Sequence, residues 1–402
     1  MATAVIAIAL VVLAFALRKA AWSLSRDFIQ RHLREWETYP KTPRFYINWI
    51  HANLEMFFRV KKVSARPLQL TVDPSNICQL ACPICPTGSK RHDRPSGKAK
   101  EELLLNLLKE VGQYLFTLNL FNWGEPFLNS DVTFAWASAA RNMGIRVRVS
   151  SNLSMVLSDI QIERICSSGI HTLVVSLDGA SGETYSKYRR NGNFERVIGN
   201  LRRIVAEKRR RQGRGPWLIW QFLVFAHNEH EIPSARKLAN DIGVDEIRFA
   251  PPQVDESVDV YPSSDPRYHT ELSKVHGKDP FESRFPENRD ACVWHYMCAA
   301  INWDGSLSPC EILYKREYDF GTIGESGQFR FRDAYNSLSY QAARAGSSGC
   351  PSGTTHLVCF RCPARDMRSA AGINGDVIYH CKLRFLNLLR ILISPVRLQP
   401  VS

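Results

Sequence analysis

Apolar and polar positions along the chain switch between two periods. Short runs rich in β-branched and aromatic residues alternate with longer stretches of helical periodicity. Residues 67–73 (PLQLTVD), 117–122 (TLNLFN), 145–150 (IRVRVS), 171–177 (HTLVVSL), 217–225 and 246–249 read as strands. Residues 101–111, 131–143, 159–167, 194–210 and 231–242 read as helices between them. Strand–helix alternation with mostly buried strands predicts a parallel sheet. Six such units predict an α/β fold, a partial (β/α)6 TIM-like barrel over residues 66–255, with its site at the C-terminal ends of the strands.

The pattern changes at both ends. Ala2 to Leu17 is a run of sixteen residues without a charge, extended by Ala20, Ala21, Trp22 and Leu24 across the pair Arg18-Lys19. A span needs roughly 20 apolar residues. A cleaved signal peptide would carry its positive charge before the apolar run, whereas here the cations follow it. The expectation is an uncleaved N-terminal membrane anchor over 1–24 with the catalytic body in the cytoplasm. Residues 25–65 read as a helical neck in which Trp36, Tyr39, Phe45, Trp49, Phe57 and Phe58 are interleaved with cations. Such a neck either lies on anionic headgroups or packs against the barrel. Residues 256–290 read as a linker, 291–381 as a cysteine-rich C-terminal extension and 382–402 as an amphipathic tail.

Composition narrows the class. The chain has 402 residues, 45% of them apolar, with a net charge of +13. That excludes a disordered, collagenous or coiled-coil protein. The basic run Lys208–Arg211 sits at a helix end, where it complements the dipole. No nucleic-acid partner is expected from it. The basic balance suits an anionic substrate or a membrane surface. Eleven cysteines in a chain this long do not suggest a disulfide-stapled scaffold.

Three of the cysteines, Cys78, Cys82 and Cys85, crowd into CQLACPIC directly after the first strand. Three thiolates on one short loop can hold three irons of a [4Fe–4S] cluster and leave the fourth open to a substrate or cofactor. A CxxxCxxC loop after the first strand of a β/α partial barrel resembles the radical S-adenosylmethionine (SAM) superfamily. Gly124, Glu125 and Pro126 resemble that family's GGEP motif, with Trp123 in place of the first glycine. Ser150 and Asn152 at the third strand end, and Ser176 and Asp178 at the fourth, are similar to its SAM-contacting residues. Arg189 is similar to the arginine that pairs with the SAM carboxylate, with Arg190 as a rival. The resemblance implies reductive cleavage of SAM to a 5′-deoxyadenosyl radical that takes hydrogen from the substrate. It also implies a cellular reductant such as flavodoxin or ferredoxin.

Cys292, Cys310, Cys359 and Cys362 form a second constellation of two pairs. On spacing alone it fits either zinc or an iron–sulfur cluster. Asp304-Gly305 between the first pair reads as a hairpin turn. The pattern resembles the SPASM/twitch extension of radical SAM enzymes, which implies an auxiliary [4Fe–4S] cluster. The further cysteine run of a full SPASM extension does not follow Cys362, so one auxiliary cluster is expected. Cys166 reads as core. Cys298, Cys350 and Cys381 either pack, or complete a second cluster, or, for Cys298 and Cys350, donate a hydrogen atom to a substrate radical as a cysteine does in radical SAM epimerases.

The reading that follows is a membrane-tethered radical SAM oxidoreductase or epimerase acting on a small polar or lipid-linked substrate. A maturase of ribosomal peptides is the alternative, although the neck is short for a leader-binding domain. A membrane-bound iron–sulfur electron carrier is the non-enzymatic alternative. The barrel itself does not choose among these.

Overall fold

The computed structural model describes residues 42–91, 93–252, 262–269, 291–324, 330–345 and 359. All belong to the compact unit Lys41–Gly375. The expected anchor, the neck before residue 42, most of the linker, Cys350, Cys362, Cys381 and the tail lie outside the described residues. Among the described residues no helix is long and apolar enough to cross a membrane.

The chain enters through helix α1 (Pro43–Phe57). Six strands and six helices follow: β1 (Gln69–Val72), α2 (Glu101–Val111), β2 (Thr117–Asn119), α3 (Ser130–Asn142), β3 (Arg146–Ser151), α4 (Asp159–Ser167), β4 (Ile170–Ser176), α5 (Gly182–Tyr188), α6 (Phe194–Arg210), β5 (Trp217–Leu223), α7 (Ile232–Ile242) and β6 (Glu246–Ala250). Local chemistry sets several boundaries. Ser158 and Gln161 form a reciprocal capping box at the start of α4. The Asn193 side chain caps α6 by accepting from the Arg196 amide at 2.8 Å. β5 stops before the expected Phe225, because the Phe225 amide donates instead to Asn228 Oδ1 at 2.7 Å.

β1 to β6 are parallel and pair in chain order. Alternation assigns each strand two faces. Leu70, Val72, Leu118, Val147, Val149, Leu173, Val175, Leu218, Trp220 and Phe222 are fully buried on one of them. The opposite face carries Thr71, Asn119 and Arg148 in register across β1, β2 and β3. Gln221 and Arg248 occupy the same kind of position on β5 and β6. One face is therefore the core and the other a polar wall.

The sheet does not end with this domain. After α8 (Trp294–Met297), strand β7 (Cys298–Ile301) pairs parallel to β1. β8 (Ser306–Ser308) and β9 (Gly321–Thr322) continue antiparallel, giving the order β6-β5-β4-β3-β2-β1-β7-β8-β9. The expected hairpin turn is present: Gly305 has φ +87, and Asp304 Oδ1 accepts from the Ser306 amide at 3.1 Å. Helices α9 (Phe331–Ala334) and α10 (Leu338–Ala345) close the described extension. Arg344 fixes them by donating to the carbonyls of His295, Lys61 and Tyr335. Its guanidinium also lies over the rings of Tyr296, Tyr335 and Tyr340.

Trp220 tests the core face. It is fully buried, and its indole Nε1 donates to the Leu177 carbonyl at 2.6 Å. Trp220→Ala should cost about 3–5 kcal/mol in urea unfolding. Ile160→Ala, at a side chain that is 69% exposed, should cost less than about 0.5 kcal/mol. Equal losses would contradict this assignment of faces.

Candidate active site

The loop from Pro74 to Lys98 leaves the C-terminal end of β1 and carries Cys78, Cys82 and Cys85. These thiols pack with Leu80, Ile84, Tyr188, Leu223 and Phe225 into an apolar cluster. Burial pushes the Cys78 thiol up to about 12 and the Cys82 thiol up to about 11. A thiolate here needs cationic or hydrogen-bonding partners, and the chain supplies some. Cys78 Sγ accepts from the Leu80 amide at 3.5 Å and from Asn152 Nδ2 at 3.7 Å. Cys82 Sγ accepts from Arg189 Nη1 at 3.9 Å.

The two residues that donate from side chains, Asn152 and Arg189, are each held by a buried carboxyl group. Asn152 follows β3, and its amide donates to Glu125 Oε2 at 2.8 Å. Glu125 Oε1 accepts from Ser151 Oγ at 2.8 Å and from the Phe127 amide at 3.1 Å. Burial raises the Glu125 carboxyl to about 7. Asp178 lies just beyond β4, with Oδ2 accepting from Arg189 Nε at 2.5 Å and Oδ1 from the Leu223 amide at 2.6 Å. Both oxygens of Asp178 are thereby engaged within the protein, so its geometry makes it the support of Arg189. Arg189 occupies the C-cap of α5, and its guanidinium lies 5.2 Å from the Tyr188 ring centroid.

The GEP turn is seated by close approach. A Cβ on Gly124 would lie 1.7 Å from the Ser75 carbonyl oxygen, so only glycine fits. The Glu125 amide donates to the Ile77 carbonyl at 2.8 Å, which joins this turn to the cysteine loop. Trp123, where the motif has its first glycine, donates its amide to Asp73 Oδ2 at 3.1 Å. Its ring meets Tyr314 edge-on, with centroids 5.7 Å apart. Pro126 is buried where it opens a single 3-10 turn. Ser150 and Ser176 stand half-buried near the ends of β3 and β4.

The structure thus brings Cys78, Cys82, Cys85, Glu125, Asn152, Asp178 and Arg189 to one end of the sheet. It does not bring Cys298 there. Cys298 begins β7 in register with Gln69, the first residue of β1, and so lies at the other end of the parallel strands. Cys350 lies outside the described residues. Of the second constellation, Cys292, Cys310 and Cys359 are buried, and Tyr340 lies in the field of both Cys310 and Cys359. Cys362 lies outside the described residues.

Other residues contribute without a motif to announce them. Gln79 Nε2 donates to Asn152 Oδ1 at 2.8 Å and so orients the amide that faces Cys78. Arg94 is buried and pairs with Asp319, and it also donates to Ser306 Oγ at 2.8 Å and to the Tyr314 carbonyl at 3.1 Å. It clamps the cysteine loop to β8 and the segment before β9. A lone glutamine and a lone arginine carry no periodic signal. Only the position of Gln79 between two of the motif's cysteines could have marked it.

The donor set fits an iron–sulfur cluster. Among the described residues no group of three Cys, His, Asp or Glu side chains is disposed to hold a single metal ion. Three thiols on an apolar loop with N–H···S donors suit a polynuclear cluster, in which each sulfur caps a different iron.

Residues 72–231 match the radical SAM superfamily, and residues 292–363 match the SPASM iron–sulfur cluster-binding domain. The pre-heme d1 synthase of Dinoroseobacter shibae is 30% identical over 170 residues, 42% of this chain and 40% of the relative. The AdoMet-dependent heme synthase of Methanosarcina barkeri is 28% identical over 167 residues, 41% of this chain and 45% of the relative. The chain therefore matches less than half the length of each. Streptococcus suis SuiB bound to its precursor peptide SuiA superposes over 64% of this chain and 62% of its own, with a TM-score of 0.47 at 16% identity. AnSMEcpe with bound AdoMet superposes over 82% of this chain and 97% of its own, with a TM-score of 0.46 at 12% identity. With the cysteine loop, the GEP turn and both domain matches in agreement, the chain carries a radical SAM domain over residues 72–231 and a SPASM iron–sulfur cluster-binding domain over residues 292–363, which together imply SAM, a [4Fe–4S] cluster and auxiliary iron–sulfur clusters as its cofactors.

Proposed function

We propose that this protein is a radical SAM oxidoreductase or epimerase that abstracts hydrogen from a small polar or lipid-linked substrate. The observation that carries this reading is the convergence of Cys78, Cys82 and Cys85 with Asn152 and Arg189 at one end of the sheet. When bound, the three-thiolate cluster supplies the electron that cleaves SAM to the hydrogen-abstracting 5′-deoxyadenosyl radical. The residues of the chain hold and orient. Arg189, aligned by Asp178, offers a fork suited to the SAM carboxylate. The seated GEP turn would present backbone groups to the SAM amino group, and Ser150 and Ser176, near the ends of β3 and β4, would contact the rest of the cofactor. Leu80, Tyr188, Leu223 and Phe225 exclude water from the thiols.

One auxiliary cluster held by Cys292, Cys310, Cys359 and Cys362 would accept the electron that the substrate radical gives up as it loses a proton, with flavodoxin or ferredoxin as the external reductant of the three-thiolate cluster. The two relatives named for heme-type synthesis support a small molecule over a peptide. The charge-free run from Ala2 to Leu17, with Arg18 and Lys19 after it, supports a tether that leaves the body in the cytoplasm.

Iron counting tests the cofactor assignment. Anaerobically reconstituted wild type should hold about eight irons, and a Cys78→Ala/Cys82→Ala/Cys85→Ala variant about four, at four irons per cluster. Dithionite and SAM should give 5′-deoxyadenosine from the wild type alone. A fully loaded wild type that leaves SAM intact would point to an electron carrier. Arg189→Lys keeps the charge and loses the fork. Its SAM affinity should fall about tenfold, or about 1.4 kcal/mol, at unchanged iron content. Unaltered binding would remove Arg189 from the SAM site.

A further inference from the structure

Helix α1 is built with its polarity reversed. Phe45, Asn48, Ala52 and Glu55 recur at helical spacing on the buried face. Two of these four are polar, and they are spent on the segment that follows the helix. Glu55 Oε1 accepts from the Ser64 amide at 2.7 Å and Oε2 from the Ala65 amide at 3.1 Å. Asn48 exchanges two hydrogen bonds with the Arg66 backbone, at 2.9 and 2.8 Å. The outward face is apolar: Ile47, Ile50, Leu54 and Phe57 follow one another at steps of three, four and three, with Phe58 beside them. They are 67%, 53%, 49%, 78% and 69% exposed in that order. A helix that only closes a core has its apolar stripe inward. A contiguous exposed stripe of this kind marks an interaction surface.

The charge around the stripe selects the occupant. Arg44, Arg59, Lys61 and Lys62 are exposed beside it. Between residues 42 and 66 the only carboxylate is Glu55, and that one is buried. Trp49, Asn53 and Arg59 line a shallow apolar groove together with Ile50, Leu54 and Phe57. Bulky apolar side chains flanked along the chain by cations, with no exposed carboxylate between residues 42 and 66, complement acyl chains beneath anionic headgroups. A second copy on the same face would set these cations against their own kind.

We propose that the outward face of α1 docks on the surface of an anionic lipid bilayer, with Ile50, Leu54, Phe57 and Phe58 entering the acyl boundary. This inference is independent of the catalytic reading. The test uses the full chain with a benzophenone photocrosslinking amino acid in place of Phe57. It is irradiated with vesicles of phosphatidylcholine, with and without phosphatidylglycerol. The expected product is a lipid adduct at position 57, formed several-fold more on the anionic vesicles. Arg59→Gln/Lys61→Gln/Lys62→Gln should reduce that yield several-fold, to the level of neutral vesicles, while the iron–sulfur absorption spectrum stays unchanged as a check on folding. A crosslink to a peptide of the same chain, a crosslinked dimer, or absence of a lipid adduct would each overturn the proposal. Equal yields on the two vesicle types would overturn its anionic selectivity.

Discussion

Sulfur atoms buried beside carboxylates can be held only by donors. Cys78 lies in the field of Glu125 and Cys82 in that of Asp178, and both thiols are driven toward the protonated form. The chain answers with the same arrangement twice. Glu125 fixes Asn152, which donates to Cys78; Asp178 fixes Arg189, which donates to Cys82. In each case a buried carboxyl reaches the sulfur's surroundings through an intermediate donor. Hydrogen bonds to the charged form favour thiolate, and the iron of the cluster would complete the compensation. Removing either carboxylate would leave its donor unsupported in a buried site.

The same constraint explains why the cysteine loop is tied to so many elements. It forms no regular structure between β1 and α2 beyond isolated bridges, so its backbone is satisfied from outside. Asn76 holds the Gly97 amide at 2.8 Å and the Pro95 carbonyl at 2.9 Å. Arg94 then crosses to Asp319, and the Arg316 amide donates to Asp93 at 2.7 Å. Since β7 also pairs with β1, the SPASM region and the radical SAM core share one sheet and one loop anchor. Cys292 and Cys310, on either side of β7 and β8, are thereby tied to the sheet that carries the thiols of the core.

Much of this was legible in the chain. The six core strands and the five helices expected between them appear within a few residues of their sequence boundaries, because buried parallel strands write continuous apolar runs. The cysteine spacing and the GEP residues pointed to the candidate site. The short α5 was not legible: seven residues give too little periodicity to stand out beside a turn. The parallel pairing of β7 with β1 was also hidden, since contacts across more than two hundred residues leave no local pattern. The reading of Asp178 as a cofactor contact came from its motif position, and only the geometry shows both its oxygens engaged by Arg189 and Leu223.

Position within a strand decides what a residue can reach. All strands from β1 to β7 run the same way, so their first residues share one end and their last residues the other. The thiols lie at the ends of the strands, as do Asn152, Ser176 and Asp178. Asn302, directly after β7, is at that end as well; its Nδ2 donates to Ser306 Oγ and Ser308 Oγ, the hydroxyls that also receive Arg94. Cys298, four residues earlier, is carried to the far end and packs where Tyr335 Oη donates to its carbonyl at 3.0 Å. One strand thereby separates the two residues: the end that could meet a substrate presents an amide in a polar network, and the thiol belongs to the aromatic floor around Arg344.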